Sequence, residues 1–357
     1  MPFDLVAAGP LPPREYVLLV SGTMNPPHIG HVRLGLAAAD KMRKSGHVVR
    51  AICFLPVHDN YLCNKVALKR RRGAELSVLD SIAFPMSERC ALLKRLIAGE
   101  LAGSAGAMCH VLDYEHSSDD RQLLATSPGY WSPKLPEGYL KTVPTASLIG
   151  SFGANSPLMS DGARLGVVFG VDNLAGMASW NDPASLLVQA DLVVLARGMP
   201  SVTFRDDPTA LLSALKYVEV RAPVPVVHQC STLLGGTQGS FENPVASGSC
   251  ALFLLPALDA GDESLSSTRV REAIAARVAA TDRGTAASLA GAGSSNPEAV
   301  LAAHGYSDTS CEQLLSVARQ GDATVERMVA SGTARGEWVE PGAKQGVKRG
   351  RTEDDVV

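Results

Sequence analysis

The chain has 357 residues, 46% of them hydrophobic and 19% charged, and it carries a formal net charge of −3 at pH 7. That length and apolar content suffice for one large α/β domain with insertions or for two domains, and the slightly acidic balance argues against binding nucleic acid through bulk charge. No apolar stretch looks long enough to span a bilayer, and the N-terminus, with Asp4 and no basic segment, is not expected to be a secretory signal.

The first predicted elements are a strand and a helix. Residues 16–20 form an apolar run that predicts a buried parallel strand. Residues 32–39 follow as a predicted helix. Between the two, Gly22 lets the backbone approach a ligand closely, and residues 25–27, Asn-Pro-Pro, shape the loop. A strand, a glycine turn and a helix in this order are typical of the first unit of a doubly wound sheet.

Two histidines, His28 and His31, lie where that helix begins. Positions three apart share a helix face, so both imidazoles can point at one ligand. We expect the helix N-terminus to offer free N–H groups and a positive dipole end, which predicts a phosphate site. A lone His-x-x-His pair is more often a surface or core feature, and the strand–loop–helix context is what favours a site. A metal site is a poor alternative because no third ligand with clear spacing lies nearby.

Further segments continue the alternation of strands and helices. We predict strands at 48–55, 108–112, 165–169, 192–195 and 251–255, strand-like alternation at 217–220, and helices at 87–98 and 311–329. This order predicts an α/β fold with a Rossmann-like doubly wound parallel sheet.

Three stretches depart from this pattern. Residues 117–163 are rich in turn formers and predict an insertion. Residues 228–249 are rich in Gly, Ser and Thr and predict a flexible surface loop. We expect disorder beyond residue 330. The predicted organisation is one domain over 1–306 and a C-terminal extension over 307–357 with a flexible end.

A second helix start carries hydroxyls and a cation. In residues 264–271, Ser267 or Ser266 can cap a helix that begins near Thr268. The hydroxyls and Arg271 would then meet phosphate at another positive helix end. An ordinary capped helix is the alternative explanation, and it would be the simpler one without the histidine motif.

These segments resemble a known superfamily. Gly22-Thr23-Met24-Asn25-Pro26-Pro27-His28-Ile29-Gly30-His31 resembles the Gly-x-Phe-x-Pro-x-His-x-x-His signature of nucleotidylyltransferases, with Met24 in the usual Phe position. Ser264-Leu265-Ser266-Ser267-Thr268-Arg269-Val270-Arg271 resembles the Ile-Ser-Ser-Thr-x-x-Arg motif of the same superfamily.

Three more segments point to one family within it. Gly170-Val171-Asp172-Asn173-Leu174 with Trp180 resembles the Gly-x-Asp-x-Leu…Trp stretch of nicotinamide/nicotinate mononucleotide adenylyltransferases. Pro56-Val57-His58-Asp59-Asn60-Tyr61 with Lys65 is similar to a lysine-rich segment of the eukaryotic members. Val111-Leu112-Asp113-Tyr114-Glu115 is similar to their Val-Asp-x-Trp-Glu segment, with Tyr114 in the Trp position. The resemblance covers residues 16–306, with interruptions.

The resemblance implies a nucleotidylyltransferase fold and adenylyl transfer from ATP to nicotinamide or nicotinate mononucleotide in NAD biosynthesis. The implied catalytic residues are His28, His31 and Arg271. The implied ATP-binding residues are Gly22, Thr23, His28, His31, Lys65, Ser266, Thr268 and Arg271. The implied mononucleotide-binding residues are Ser21, Gly22, Lys65, Tyr114, Asp172 and Trp180, with Asp172 accepting hydrogen bonds from ribose and Trp180 stacking on the pyridine ring or, alternatively, covering the core. Mg²⁺ is the implied cofactor, carried on the phosphates and not by a protein metal site.

Two alternatives stay open. One is another transferase with the same histidine signature, such as a pantetheine-phosphate adenylyltransferase or a cytidylyltransferase, against which Asp172 with Trp180 argues. The other is a non-catalytic nucleotide sensor, against which His28, His31 and Arg271 argue.

Location and partners follow from composition. Seven cysteines without a Cys-x-x-Cys pair predict reduced thiols and a cytoplasmic protein. A weak basic cluster in the tail is also compatible with nuclear import, although a solvated tail is the simpler explanation; it comprises Lys344, Lys348, Arg349 and Arg351. We expect ATP and the mononucleotide as partners, with no nucleic acid or membrane, and the sequence is compatible with a homo-oligomer.

Overall fold

A computed structural model describes residues 7–8, 13–71, 82–101, 108–113, 145–170, 173, 186, 189–195, 226–230, 239–241, 250–255, 265–282 and 296–330. The strands are β1 (Ala7–Ala8), β2 (Glu15–Gly22), β3 (Val48–Pro56), β4 (Cys109–Val111), β5 (Arg164–Gly170), β6 (Asp191–Leu195), β7 (Val226–Cys230), β8 (Gly239–Phe241) and β9 (Cys250–Leu255). The helices are α1 (Ile29–Lys44), α2 (Asp59–Arg71), α3 (Met86–Glu100), α4 (Thr145–Asn155), α5 (Ser267–Asp282), α6 (Pro297–Ala303) and α7 (Asp308–Ala330), with a 3-10 helix at Pro157–Gly162.

The strands form one sheet in the order β1-β8-β7-β9-β6-β5-β2-β3-β4. Neighbours from β7 through to β4 pair in parallel, whereas β8 pairs antiparallel with β1 and β7. The chain leaves β2 towards β3 and β4 and then returns to β5 on the other side of β2. The predicted Rossmann-like doubly wound sheet is therefore confirmed, and its direction switches between β2 and β5. In such sheets ligands bind outside the carboxyl ends of the strands at this switch point.

The predicted strands and helices that fall on described residues are present, but two segments in which we expected loop contain regular structure. Helix α4 and the 3-10 helix lie within the predicted insertion at 117–163, where turn formers favoured loop. Strands β7 and β8 overlap residues 228–249, for which we expected a loop. Composition favoured a loop, but parallel pairing of β7 with β9 supplies hydrogen bonds that local propensity does not reveal. The strand-like alternation at 217–220 lies outside the described residues.

Two clusters of apolar side chains hold these layers together. The first joins the sheet to α1 and α3, and β2 contributes Tyr16, Leu18 and Val20, each at most 1% exposed. The second lies between α3, α5, α6 and α7 and contains Leu92, Ile274 and Leu315. Helix α7, predicted at 311–329, therefore packs its first turns against the same layer as α5.

The starts of three strands are joined by a buried carboxylate. Asp191 is fully buried and accepts two hydrogen bonds from Arg164, at 2.6 and 2.7 Å. The Tyr16 hydroxyl donates to Asp191 Oδ2 over 2.8 Å. Burial, together with this carboxylate, raises the pKa of Tyr16 far above its ordinary value. Because these groups lie at the amino ends of β2, β5 and β6, they stabilise the sheet at the end opposite the switch point.

Candidate functional site

The loop between β2 and α1 lies at the switch point of the sheet. It leaves β2 at Gly22 and enters α1 at Ile29. Met24 has a φ of 46° and is 1% exposed, so the side chain in the usual Phe position faces the interior. Ser21, Gly22 and Thr23 are half-buried at the end of the strand. This placement puts the backbone of the motif at the edge where doubly wound sheets bind ligands.

His28 is the N-cap of α1, a role that explains its burial. Its Nδ1 accepts a hydrogen bond from the Gly30 N–H over 3.2 Å. The His31 Nδ1 in turn accepts from the His28 N–H over 3.1 Å. The main chain of His31 is also directed at the His28 side chain, and together with the bond from the His28 N–H to His31 this forms a capping box. Both of its side chains are imidazoles instead of the usual hydroxyl and carboxyl groups. His28 is 1% exposed, whereas His31 is half-buried.

The capping bond fixes the tautomer of His28, because the Gly30 N–H can only donate and the Nδ1 of His28 must accept. The proton of that neutral ring is then on Nε2. The His31 Nδ1 lies 3.1 Å from the His28 main-chain nitrogen and 3.3 Å from the His28 carbonyl oxygen, and the tautomer that accepts the shorter bond has its proton on Nε2. The ring centroids of the two histidines are 4.0 Å apart. In this tautomer His31 offers an N–H donor at the start of α1, which suits a phosphate oxygen.

The first amides of α1 are all hydrogen-bonded, and our expectation of free N–H groups there was wrong. The Ile29 N–H donates to the His304 carbonyl over 3.0 Å, and the His31 N–H donates to the His28 carbonyl over 2.9 Å. The Gly30 N–H is capped by the His28 ring. The donors that α1 can present to an anion are therefore side chains, and the helix dipole acts behind them.

The second predicted phosphate motif is brought against the first loop. Ser266 caps α5, since its Oγ accepts from the Arg269 N–H over 3.2 Å. Ser267 Oγ donates to the Pro26 carbonyl over 2.8 Å. Arg271 donates through Nη1 to the Asn25 carbonyl and through Nη2 to Thr268 Oγ1, the latter over 3.3 Å.

Residues more than 240 positions apart in sequence thus meet at one loop. At the start of α5, the main-chain N–H groups of Ser267 and Thr268 donate no hydrogen bond to any of the residues that the structure describes. The cap predicted at Ser266 or Ser267 is confirmed as Ser266. The groups here that could donate to an anion are therefore the side chains of His31 and Arg271 and the start of α5.

Asn25 fixes the other side of the loop. Its Nδ2 donates to the Ile82 carbonyl over 2.9 Å, and its Oδ1 accepts from the Phe84 N–H over 2.8 Å. The side chain therefore acts as a strand-like pairing partner for residues 82–84, while its own carbonyl accepts from Arg271. One residue links the first loop to the segment before α3 and to α5.

Arg89 lies beneath the site and was not predicted to have a role. Its side chain is 0% exposed and donates to the carbonyls of Thr23, Val57 and Phe84 over 2.9, 2.6 and 2.9 Å. It also pairs with Asp59 over 2.7 Å. The backbones that follow β2 and β3 are thereby held to the segment before α3. A sequence signal existed, because Arg89 shares the apolar face of α3 with Leu92, Leu93 and Leu96.

The remaining predicted residues divide into two groups. Lys65 lies on the exposed face of α2, six positions after its start. Tyr114, Asp172 and Trp180 lie outside the described residues, as does the basic cluster of the tail. Among the residues described, no group of three or more His, Cys, Asp or Glu side chains is placed to hold a metal ion. In the described part of the chain, no helix is long and apolar enough to cross a membrane.

The sequence and the fold of this chain were compared with those of known proteins to test the resemblance to mononucleotide adenylyltransferases. No family model matches the chain. The chain is 29% identical over 241 residues to a probable nicotinate-nucleotide adenylyltransferase of Chlorobium phaeovibrioides, covering 68% of this chain and 92% of that protein. The resemblance to the mononucleotide adenylyltransferases is confirmed. Among solved structures, a nicotinic acid mononucleotide adenylyltransferase of Plasmodium falciparum complexed with NaAD matches with a TM-score of 0.40 and 12% identity over 73% of this chain and 84% of that one. The same enzyme complexed with APC matches with a TM-score of 0.39 and 12% identity over 72% and 83% of the two chains.

Proposed function

We propose that this protein transfers the adenylyl group of ATP to a pyridine mononucleotide. The observation that carries the proposal is the meeting of two phosphate-type motifs at one loop, with Arg271 bonded to the Asn25 carbonyl three residues before the capping histidine. The bacterial relative is named as a nicotinate-nucleotide adenylyltransferase, which favours nicotinate mononucleotide as the acceptor and nicotinamide mononucleotide as the second candidate.

In the proposed reaction a 5′-phosphate oxygen of the mononucleotide attacks the α-phosphorus of ATP. The new P–O bond forms the dinucleotide, and the bond from the α-phosphorus to the bridging oxygen breaks to release pyrophosphate. Because the nucleophile is already an anion, no side chain is required to remove a proton. Catalysis then consists of positioning the two phosphates and stabilising the charge that develops on them.

Each described residue has a distinct part in this proposal. His31 donates from Nε2 to the α- or β-phosphate, and its orientation comes from the His28 backbone. His28 acts chiefly as the cap that fixes this geometry, because it is almost completely buried. Arg271, Thr268 and Ser266 hold the leaving pyrophosphate at the start of α5, and Gly22 and Thr23 line the approach from β2. We further propose that Lys65, Ser21, Tyr114, Asp172 and Trp180 contact the substrates, as the family resemblance implies.

Mg²⁺ is proposed to arrive on the ATP phosphates. The described donor set at the loop is made of imidazole, guanidinium and hydroxyl groups, which suits phosphate oxygens and not a directly bound hard cation. When bound to ATP the ion would neutralise charge on the phosphates, while His31 and Arg271 would orient them.

The test is pyrophosphate release from Mg²⁺ and ATP with each mononucleotide, measured side by side. We expect His31→Ala and Arg271→Ala to lower kcat by about 100-fold or more while the protein stays folded. His110→Ala, at an exposed histidine on the edge strand β4, and Arg277→Ala, two turns further along α5, are the matched controls and should stay within about twofold. Full activity in purified His31→Ala would overturn the proposal.

The same assay separates the alternatives. A sister transferase would release pyrophosphate only with pantetheine phosphate, or only with CTP in place of ATP. A nucleotide sensor would bind Mg²⁺-ATP in calorimetry and release no pyrophosphate with any acceptor.

A further inference from the structure

The turn that joins α6 to α7 consists of His304, Gly305 and Tyr306, and we refer to it as the 304–306 turn. The Tyr306 N–H donates to the Leu301 carbonyl over 3.1 Å, and the Gly305 N–H donates to the Ala302 carbonyl over 2.9 Å. These two bonds define a Schellman motif. Gly305 has a φ of 89°, in the region that favours glycine. The sequence therefore ends α6 sharply and turns His304 and Tyr306 back towards the site.

The His304 side chain spans from α6 to α5. Its Nε2 accepts from the Ser266 N–H over 3.2 Å, and its Nδ1 lies 2.6 Å from the Val300 carbonyl. Because a main-chain N–H can only donate and a carbonyl can only accept, the proton of the neutral ring is on Nδ1. The ring is 2% exposed, so these two bonds form in a setting where losing one is costly.

The main chain of the same turn holds α1. The His304 carbonyl accepts from the Ile29 N–H over 3.0 Å. The Tyr306 hydroxyl donates to the Pro27 carbonyl, and its ring is 5% exposed. The His304 ring also packs edge-on against His28, with centroids 5.6 Å apart. His304 thus accepts a hydrogen bond from the first amide of α1 through its carbonyl, and one from the cap residue of α5 through its ring.

These contacts lie close to both proposed phosphate donors. Ile29 is two residues before His31, and Ser266 is five residues before Arg271. Direct bonds also join the motifs, from Ser267 to Pro26 and from Arg271 to Asn25. Those bonds connect α5 to the loop, whereas His304 connects α5 to the first turn of α1.

We infer that His304 is a positioning residue that fixes the start of α5 relative to the start of α1, and so sets Arg271 against His31 for phosphate transfer. This inference rests on the proposed function. The ring itself does not reach substrate, because it is buried and both of its nitrogens are engaged within the protein. Misplacing catalytic groups by about 1 Å can cost 100-fold in rate, so the expected effect falls on kcat.

Replacing His304 by Gln or by Asn can distinguish the contributions of its two ring nitrogens. In His304→Gln the terminal oxygen can take the place of Nε2 and accept from Ser266 N–H. In His304→Asn the shorter amide can replace Nδ1 and donate to Val300, but it cannot reach Ser266. His304→Ala removes both bonds, and Ala303→Gln, at an exposed neighbour on α6, controls for a change nearby.

The experiment measures kcat, the KM for ATP and thermal stability for all four variants. We expect kcat to fall by about 10- to 100-fold in His304→Asn and His304→Ala, with a change in KM of less than about threefold. We expect His304→Gln to recover most of the rate and Ala303→Gln to match the wild type. Amide hydrogen exchange should show the Ser266 N–H protected in the wild type and in His304→Gln, and exposed in His304→Asn and His304→Ala.

Each outcome has a defined meaning. Equal kcat in His304→Asn and His304→Gln, both folded, would overturn the inference, as would equal Ser266 protection in the two variants. If the wild type releases no pyrophosphate with either mononucleotide, the proposed function fails. The inference is then decided by amide exchange, because it requires the Ser266 N–H to be exposed in His304→Asn and protected in His304→Gln. If His304→Ala does not fold, the comparison of His304→Asn with His304→Gln still decides whether the inference holds.

Discussion

The Arg89 guanidinium donates to Asp59 Oδ1 over 2.7 Å, and the two side chains are 0% and 2% exposed. The other carboxylate oxygen accepts from the Met86 N–H over 3.2 Å. Because Arg89 also donates to the carbonyl of Thr23, it joins the floor of the first loop to the start of α2. A buried charge with this many partners is fully compensated, and removing either partner leaves the other uncompensated.

Replacing Arg89 by Lys should therefore be severely destabilising despite the retained charge. An ammonium is a compact donor and cannot reproduce the planar fork that reaches Thr23, Val57 and Phe84 together. We expect Arg89→Lys to lower the free energy of unfolding by about 3 kcal/mol or more, measured by urea denaturation. Arg95→Lys is the matched change at an exposed position of α3 and should stay within about 0.5 kcal/mol. Equal effects at the two positions would contradict this account of the Arg89 contacts.

Gly305→Ala tests the turn that carries His304. A methyl group at Gly305 would lie 2.8 Å from Leu96 Cδ2 and 3.1 Å from Ile29 Cβ, in addition to the cost of a φ of 89°. We expect a loss of about 2 kcal/mol or more in unfolding free energy. Gly99→Ala is the matched control in α3, where the added methyl meets no atom within 4 Å, and it should stabilise by about 0.5–1 kcal/mol. A stabilising Gly305→Ala would show that the turn has a different conformation in solution.

Asn25→Asp tests the pairing of the first loop with residues 82–84. The substitution keeps the acceptor for the Phe84 N–H but replaces the donor to the Ile82 carbonyl with a second oxygen. Two oxygens would then face each other in a site that is 8% exposed. We expect a loss of about 1–3 kcal/mol in unfolding free energy, and faster amide exchange at Phe84. Asn155→Asp, at the exposed end of α4, serves as the comparison and should cost less. Identical costs at the two positions would rule out a special role for Asn25.

The tyrosines at positions 16 and 306 should make the fold sensitive to alkali. Burial, the largest cause, raises the pKa of both phenols, and Asp191 adds to the effect at Tyr16. The unfolded chain releases these protons above about pH 10, whereas the folded chain keeps them. Their contribution to stability is therefore fully present below about pH 10 and is lost as the pH rises further.

The measurement is the unfolding free energy in urea between about pH 9 and pH 11. Removing one phenol should make the loss of stability above pH 10 shallower by up to about 1.4 kcal/mol per pH unit. Tyr16→Phe also loses the bond to Asp191, so we expect it to be about 1 kcal/mol less stable at pH 7. An unchanged slope in Tyr16→Phe would contradict the burial of this hydroxyl.

Much of the fold could be predicted from the local pattern of apolar and polar residues. The apolar runs at 16–20, 165–169 and 192–195 predicted β2, β5 and β6 because strands buried on both faces contain few polar residues. Helix α3 was predicted at 87–98 and extends over Met86–Glu100. Strands β7 and β8 were not predicted, because pairing at the sheet edge depends on partners elsewhere in the chain.

Motif spacing identified the candidate residues His31, Arg271 and Ser266, but it did not identify their hydrogen-bond partners. The structure places Arg271 and the start of α5 against the loop that leads into α1, where His31 lies. The occupied amides of α1 could not be foreseen, since the acceptor for Ile29 is the carbonyl of His304. Arg89 was hidden by its charge, because a single arginine on an apolar helix face is usually expected to reach solvent.

The bond from Tyr306 to Pro27 closes a loop of 279 residues. During synthesis β2 and α1 leave the ribosome early, whereas the turn that bonds to the first amide of α1 and to the cap residue of α5 emerges only at residues 304–306. A chain that stops short of residue 304 can still pair β2 with β3 and β5, and its α5 can still bond to the first loop through Ser267 and Arg271. It lacks, however, the His304 contacts that join α5 to the first turn of α1. The chain therefore completes the candidate phosphate site as one of the last events of translation, and we expect truncated products to lack the proposed activity even where their sheet has formed.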